Sequence, residues 1–240
     1  MKNFLKGTDV MAGESLVLKG KIPEHKELVT RILSSFMFIP VIVLLYFASI
    51  EVLGLLAFVV MAIMGYEIFS PEIKGHMKLR LAMLAFYAFG VACFMYCRNI
   101  YGVSGCIFLV CIASFTDIGA YCIGKALKGP KLCPKISPKK TWAGFWGGIF
   151  LANIACYCLN SLFFQVSEQS VTLPPTATNF FVIQCLILAS VCGDLIESCF
   201  KRRIGVKDMG HWFPGHGGVL DRLDSLVGAS VFLFMIHFFI

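Results

Sequence analysis

Residues 80–97 read RLAMLAFYAFGVACFMYC and residues 102–123 read GVSGCIFLVCIASFTDIGAYCI, with only Arg98-Asn-Ile-Tyr101 between them. About 20 consecutive apolar residues cross the hydrocarbon layer of a bilayer as a helix. These two runs match that length, and the only carboxylate in them is Asp117. Working outward, the same pattern recurs at roughly 32–49, 52–69, 142–164, 180–199 and 219–240. The expectation is an all-α, polytopic integral membrane protein of about seven transmembrane helices. Pro40 is expected to kink the first helix rather than end it, and Glu51 to mark the tight turn before the second. Composition agrees: of 240 residues 58% are hydrophobic and 15% charged, and mean hydropathy is +0.80. A soluble domain sits nearer 45–50% apolar and about 25% charged.

Basic residues then assign sides. The leader holds six of the 21 Lys and Arg residues, and three more lie at 70–80, six at 124–140 and four at 200–218, with Arg222 just beyond. With seven spans, all of these fall on one side and only Arg98 opposite, so the positive-inside rule predicts a cytoplasmic N-terminus and an external C-terminus. The first thirty residues lack the apolar stretch and small-residue cleavage site of a signal peptide. They read as a polar cytoplasmic leader, 1–30, amphipathic near 24–31, ahead of a single membrane domain at 31–240. The net charge of +7 fits topology and phosphate binding better than nucleic acid, since no base-reading or stacking module is visible. Eleven cysteines are scattered through apolar runs without metal-ligand spacing, which reads as packing.

Three clusters on the cytoplasmic side carry chemistry. Asp117 lies about two turns from the end of its helix, sharing a face with Ala120, Tyr121 and Gly124. A carboxylate at that depth is costly and is a functional candidate by default. The second cluster, Lys135-Ile-Ser-Pro-Lys-Lys-Thr-Trp-Ala-Gly144, brings Lys139 and Lys140 beside Ser137 and Thr141. Thr141 is placed to cap the next helix, whose N-terminus would favour a phosphate. The third spans Gly193 to Ser225. Asp194 and Ser198 stand one turn apart with Glu197 beside them, and Asp221, Asp224 and Ser225 make a similar face on the following antiparallel helix. Hard oxygen donors of this kind suit Mg²⁺, held by one or two carboxylates and substrate phosphates. Between them lie Lys201, Arg202, Arg203, Lys207 and Arg222, and the run Pro214-Gly-His-Gly-Gly218 allows close backbone approach to a ligand.

Ser198 through Asp224 resembles the signature of the phosphatidate cytidylyltransferase (CDP-diacylglycerol synthase) family: S-x-F-K-R, then K-D-x-G, then P-G-H-G-G-x-x-D-R-x-D. The Asp-x-x-Ala-Tyr and Ser-Pro-Lys-Lys-Thr-Trp elements are similar to that family too, and the likeness runs from about residue 100 onward. The family usually has Glu where this chain has Ala143, which is given no role. The resemblance implies transfer of CMP from CTP to phosphatidic acid, giving CDP-diacylglycerol and pyrophosphate. It implies a bacterial inner (cytoplasmic) membrane enzyme whose site faces the cytoplasm, with Mg²⁺ and room for a second, monovalent cation, and it allows a homodimer. Asp194, Ser198 and Asp221 are the expected metal ligands, with Asp224 and Asp117 as helpers in catalysis. Lys139, Lys140, Lys201, Arg202, Lys207, Arg222, His216, Gly217 and Gly218 are expected to meet substrate. Two rivals are another CTP-using lipid enzyme of the polyprenol kinase type and a transporter. The transporter would want charges near the midplane, but here they crowd one face.

Overall fold

A computed structural model of the chain describes residues 38–70, 75–166, 177–206, 209–210 and 218–239. The polar leader expected at 1–30 lies outside these residues, as do Lys207, His216 and Gly217. The stretch 41–240 forms one compact unit. Its elements are the helices α1 (Phe38–Phe47), α2 (Ile50–Ile68) and α3 (Met77–Leu127), the strands β1 (Lys131–Cys133) and β2 (Ser137–Thr141), and the helices α4 (Trp142–Val166), α5 (Ala177–Ile204) and α6 (Leu220–Phe239).

α1 continues through Pro40 to Phe47. Ser49 caps α2, its hydroxyl accepting the Val52 N–H at 3.4 Å. Glu51 stands in the first turn, where the helix dipole favours a negative charge. α3 joins the two runs that open the sequence reading. The four residues between them stay helical, and the break falls on Gly102, at φ 67° and ψ −160°. Glycine alone reaches that region without strain. The halves 77–101 and 103–127 are each longer than the roughly 20 residues that span a bilayer, and Cys97 and Leu109, one from each, enter the same buried cluster.

Among the described residues, four helices are long and apolar enough to cross a membrane: α2, α3, α4 over Trp142–Leu159, and α5 over Phe180–Ile204. The seven expected spans correspond to these elements as follows. Two of those spans are the halves of α3, while α1 is short among the described residues and α6 begins with Asp221, Arg222 and Asp224.

Two differences bear on the site. The stretch 124–140 is not a plain loop. α3 runs on to Leu127, and β1 and β2 form an antiparallel hairpin pairing Lys131 with Thr141 and Cys133 with Ser137. Thr141 then caps α4 as the sequence suggests, its Oγ1 accepting the Gly144 N–H at 3.1 Å. α5 also continues beyond 199, so Lys201, Arg202 and Arg203 form its last turn, where cations complement the dipole. Gly205 ends the helix at φ 86°. The Val206 N–H returns to the Lys201 carbonyl at 3.0 Å and the Gly205 N–H to that of Arg202 at 3.2 Å. All eleven cysteines are free, five of them buried in the apolar interior.

Candidate active site

Small residues set the distances between the helices that carry the site. A Cβ added to Gly193 on α5 would lie 2.3 Å from the Asp224 carbonyl oxygen, and one on Gly228 of α6 would lie 2.4 Å from that of Ala189. Only glycine allows two backbones this close, a common device between membrane helices. Asp194 follows Gly193 directly, so the approach that brings α5 onto α6 also brings Asp194 towards Asp224. On the other side, a Cβ on Gly144 would meet the Ala120 carbonyl oxygen at 2.5 Å, and one on Gly124 would meet Thr141 Oγ1 at 2.9 Å. That contact seats α4 and the end of β2 against α3, and delivers Lys140 to the α5–α6 pair.

One oxygen each from Asp194, Glu197 and Asp224 lie within 4.8 Å of one another. Lys140 Nζ stands 2.5 Å from Asp194 Oδ2, and Ser198 Oγ donates to Asp194 Oδ1 at 3.4 Å. Lys201 Nζ bridges the two helices, 3.0 Å from Glu197 Oε2 and 2.8 Å from Asp221 Oδ1. Asp221 Oδ2 accepts the Gly218 N–H at 2.8 Å. Asp117 enters from α3, where its Oδ1 accepts the Ser225 hydroxyl at 3.4 Å. Glu197 is 1% exposed, and its Oε1 has no hydrogen-bond partner among the described residues.

That orphan oxygen matters physically. A buried carboxylate oxygen without a donor is costly, and here it sits beside two further carboxylates that repel it. Lys140 and Lys201 are two cations paired with three carboxyl groups, Asp194, Glu197 and Asp221, and Asp117 and Asp224 add two more carboxyl groups beside them. Hard, closely spaced oxygens with excess negative charge fit a small divalent cation.

The geometry places the residues named from sequence as follows. Asp194, Asp224, Asp221, Ser198 and Asp117 converge on one cleft. Ser198 is hydrogen-bonded to Asp194, and Asp221 is held by Lys201 and Gly218. Among the described acidic side chains, Glu197 and Asp224 are the ones whose oxygens gather with that of Asp194. The signal for Glu197 was present in the sequence: Asp194, Glu197 and Lys201 recur at i, i+3 and i+7, one face of a helix. Arg202 lies outside the cleft, its Nε donating to the Ile136 carbonyl at 3.1 Å and tying α5 to the hairpin. Lys139 and Arg222 are exposed, and Gly218 is buried. Glu67 on α2 was missed altogether. Its side chain accepts the Val219 and Leu220 N–H groups at 2.8 and 3.0 Å. The available signal was a lone acid near the end of an otherwise apolar span.

The model of the cytidylyltransferase family matches residues 14–240. Phosphatidate cytidylyltransferase of Haemophilus influenzae is 42% identical over 125 residues, which cover 52% of this chain and 42% of that protein. Its counterpart in Brucella suis is 41% identical over 136 residues, 56% of this chain and 47% of that protein. That of Bacillus subtilis is 36% identical over 185 residues, 75% of this chain and 65% of that protein. The chain thus spans about half the length of the first two relatives. Since the family match takes in the helices, the hairpin and every residue of the acidic cleft, the chain belongs to the cytidylyltransferase family.

Proposed function

We propose that this protein is a phosphatidate cytidylyltransferase, transferring CMP from CTP to phosphatidic acid and releasing pyrophosphate. The observation that carries the reading is the trio Asp194, Glu197 and Asp224, flanked by Lys140 and Lys201 in a family of cytidylyl transfer. A phosphate oxygen of phosphatidate attacks the α-phosphorus of CTP. The new P–O bond forms as the bond to the β-phosphate oxygen breaks, and pyrophosphate departs. Phosphate monoesters have a second pKa of about 6, so the nucleophile is ionised near neutral pH without a general base.

Both reactants are anions, so the barrier is dominated by repulsion and positioning. Asp194, Glu197 and Asp224, with Asp221 and Ser198 adjoining, would hold a Mg²⁺ ion, which would supply charge neutralisation to the triphosphate. Lys201 spends two of its three N–H donors on Glu197 and Asp221 and so orients both. Lys140 holds Asp194 and brings a cation to the rim, where Lys139 and Arg222 add positive charge for substrate phosphates. Asp117 completes the wall from α3.

The site faces the cytoplasm in this reading, with the chain in a bacterial inner membrane. The gathering of Lys140, Lys201, Arg202 and Arg203 at one end of the helices supports it. At the other end of α6, His237 Nδ1 lies 3.1 Å from the Tyr101 hydroxyl, close in sequence to Arg98, the one basic residue expected outside. The test is incubation of the purified protein with CTP, phosphatidate and Mg²⁺. CDP-diacylglycerol and pyrophosphate are expected. A phosphorylated lipid with CDP would mean γ-phosphoryl transfer instead, and no CTP-dependent product would overturn the reading.

A further inference from the structure

Glu67 sits one residue from the end of α2, in a helix otherwise apolar after Glu51, and is 1% exposed. A carboxylate so placed persists only if its oxygens are satisfied. Oε1 accepts the Val219 N–H at 2.8 Å and Oε2 the Leu220 N–H at 3.0 Å. Leu220 opens α6 and Val219 immediately precedes it, at a helix start whose early N–H groups have no partner within the helix and whose dipole favours a negative charge. A carboxylate 152 residues away in sequence therefore caps the helix that carries Asp221 and Asp224.

Backbone encloses the same carboxylate. A Cβ on Gly210 would lie 2.5 Å from Glu67 Oε1, and so would one on Gly218. What each glycine provides is room for Glu67. The end of α2 is itself fixed. Arg80, nearly buried on α3, donates from Nε to the Ile68 carbonyl at 2.7 Å and from a terminal nitrogen to that of Ser70 at 3.4 Å. The chain of contacts runs from Arg80 through the α2 terminus and Glu67 to Val219 and Leu220. Asp221 is the next residue, bonded back to Gly218, and Asp224 lies one turn further on.

We infer that Glu67 is a positioning residue: it sets the axial place of α6, and so the distance of Asp224 and Asp221 from Asp194 and Glu197 on α5. This rests on the proposed reading of that cleft as a metal-assisted cytidylyl-transfer site. Misplacing a reacting group by about 1 Å can cost up to a hundredfold in rate, so a cap remote from the substrate still controls turnover.

The test uses the purified full chain as wild type, Glu67→Gln and Gly218→Ala. Glu67→Gln keeps the shape but offers one acceptor to two N–H groups. It is expected to lower kcat roughly 10- to 100-fold and to raise the Mg²⁺ concentration for half-maximal turnover several-fold. KM for CTP at saturating Mg²⁺ should stay within about twofold, and amide exchange at Val219 and Leu220 should accelerate. Unchanged kcat and Mg²⁺ dependence would overturn the inference. So would a loss of activity that follows loss of folded protein while Mg²⁺ dependence stays at the wild-type value. If Glu67→Gln does not fold, Gly218→Ala decides: its methyl crowds the intact carboxylate and should produce the same Mg²⁺ shift, and a wild-type Mg²⁺ dependence would sink the idea. If the wild type makes no CDP-lipid, the reaction reading fails separately. Glu67 is then judged by the Mg²⁺-induced rise in unfolding temperature, which should need more Mg²⁺ in Glu67→Gln; a response identical to wild type overturns it.

Discussion

Asn153 on α4 and Gln184 on α5 exchange both amide hydrogen bonds. The Gln184 Nε2 donates to Asn153 Oδ1 at 2.7 Å, and Asn153 Nδ2 to Gln184 Oε1 at 3.3 Å, with a further bond to the Ile149 carbonyl at 2.8 Å. On the same α5, at the other end, Asp194 and Glu197 meet Asp224 in a cluster that keeps an orphan oxygen on Glu197. Both sets are polar groups between apolar helices, but one is complete and neutral and the other is charged and open. The difference separates roles. A closed pair holds helices together and asks for nothing more, whereas an open cluster of like charges is tolerable only where something positive arrives.

The sharpest way to break that contrast is to neutralise the open cluster. Asp194→Asn and Asp224→Asn should each lower turnover by about two to three orders of magnitude while leaving folded protein in the membrane. The double variant should be little worse, because residues acting as a unit are strongly non-additive. Turnover of wild type, singles and double across a Mg²⁺ titration measures this. Additive losses, with Mg²⁺ dependence unchanged in either single, would mean the two carboxylates do not share a site.

A second prediction moves the backbones instead of the charges. Gly193→Ala puts a methyl 2.3 Å from the Asp224 carbonyl oxygen, so α5 and α6 must part. Overpacking costs about 1–3 kcal/mol, and turnover should fall roughly tenfold or more if the cleft needs its present width. Wild-type turnover at full occupancy of the folded state would show that the close approach serves stability alone.

Lys201 tests the charge balance at intermediate size. Lys201→Met leaves Glu197 and Asp221 facing each other without their common cation, and breaking such a buried pair costs about 3–5 kcal/mol. Adding Glu197→Gln should restore much of the stability, read by thermal unfolding in detergent, without restoring turnover. Full recovery of both would place Glu197 outside the machinery.

The closed pair gives the smallest effect. Asn153→Leu should destabilise by about 0.6 kcal/mol, the usual scale of polar contacts between membrane helices. Its combination with Gln184→Leu should be close to neutral, since no unpaired amide remains. Turnover per folded molecule should not change. A tenfold fall in the double variant would erase the distinction between the two regions.

Composition and the length of the apolar runs were enough to assign a helical membrane protein, because the bilayer forces every spanning backbone to satisfy itself. Local spacing was equally legible. The i, i+4 relation of Asp194 and Ser198 and the Thr141 cap depend only on neighbours in sequence, and the motif from Ser198 to Asp224 marked the family. Three things needed the tertiary structure. Runs 80–97 and 102–123 are two helices, as their lengths suggest, but residues 98–101 stay helical and the break falls on Gly102, a boundary that packing decides and the apolar runs do not. Glu197 joins Asp194 and Asp224 because the Gly193–Gly228 contact fixes how α5 rotates against α6, and periodicity alone does not set that rotation. Glu67 reaches Val219 and Leu220 because two segments 152 residues apart meet end to end, and nothing in a single sequence states which distant backbone a buried carboxylate will find.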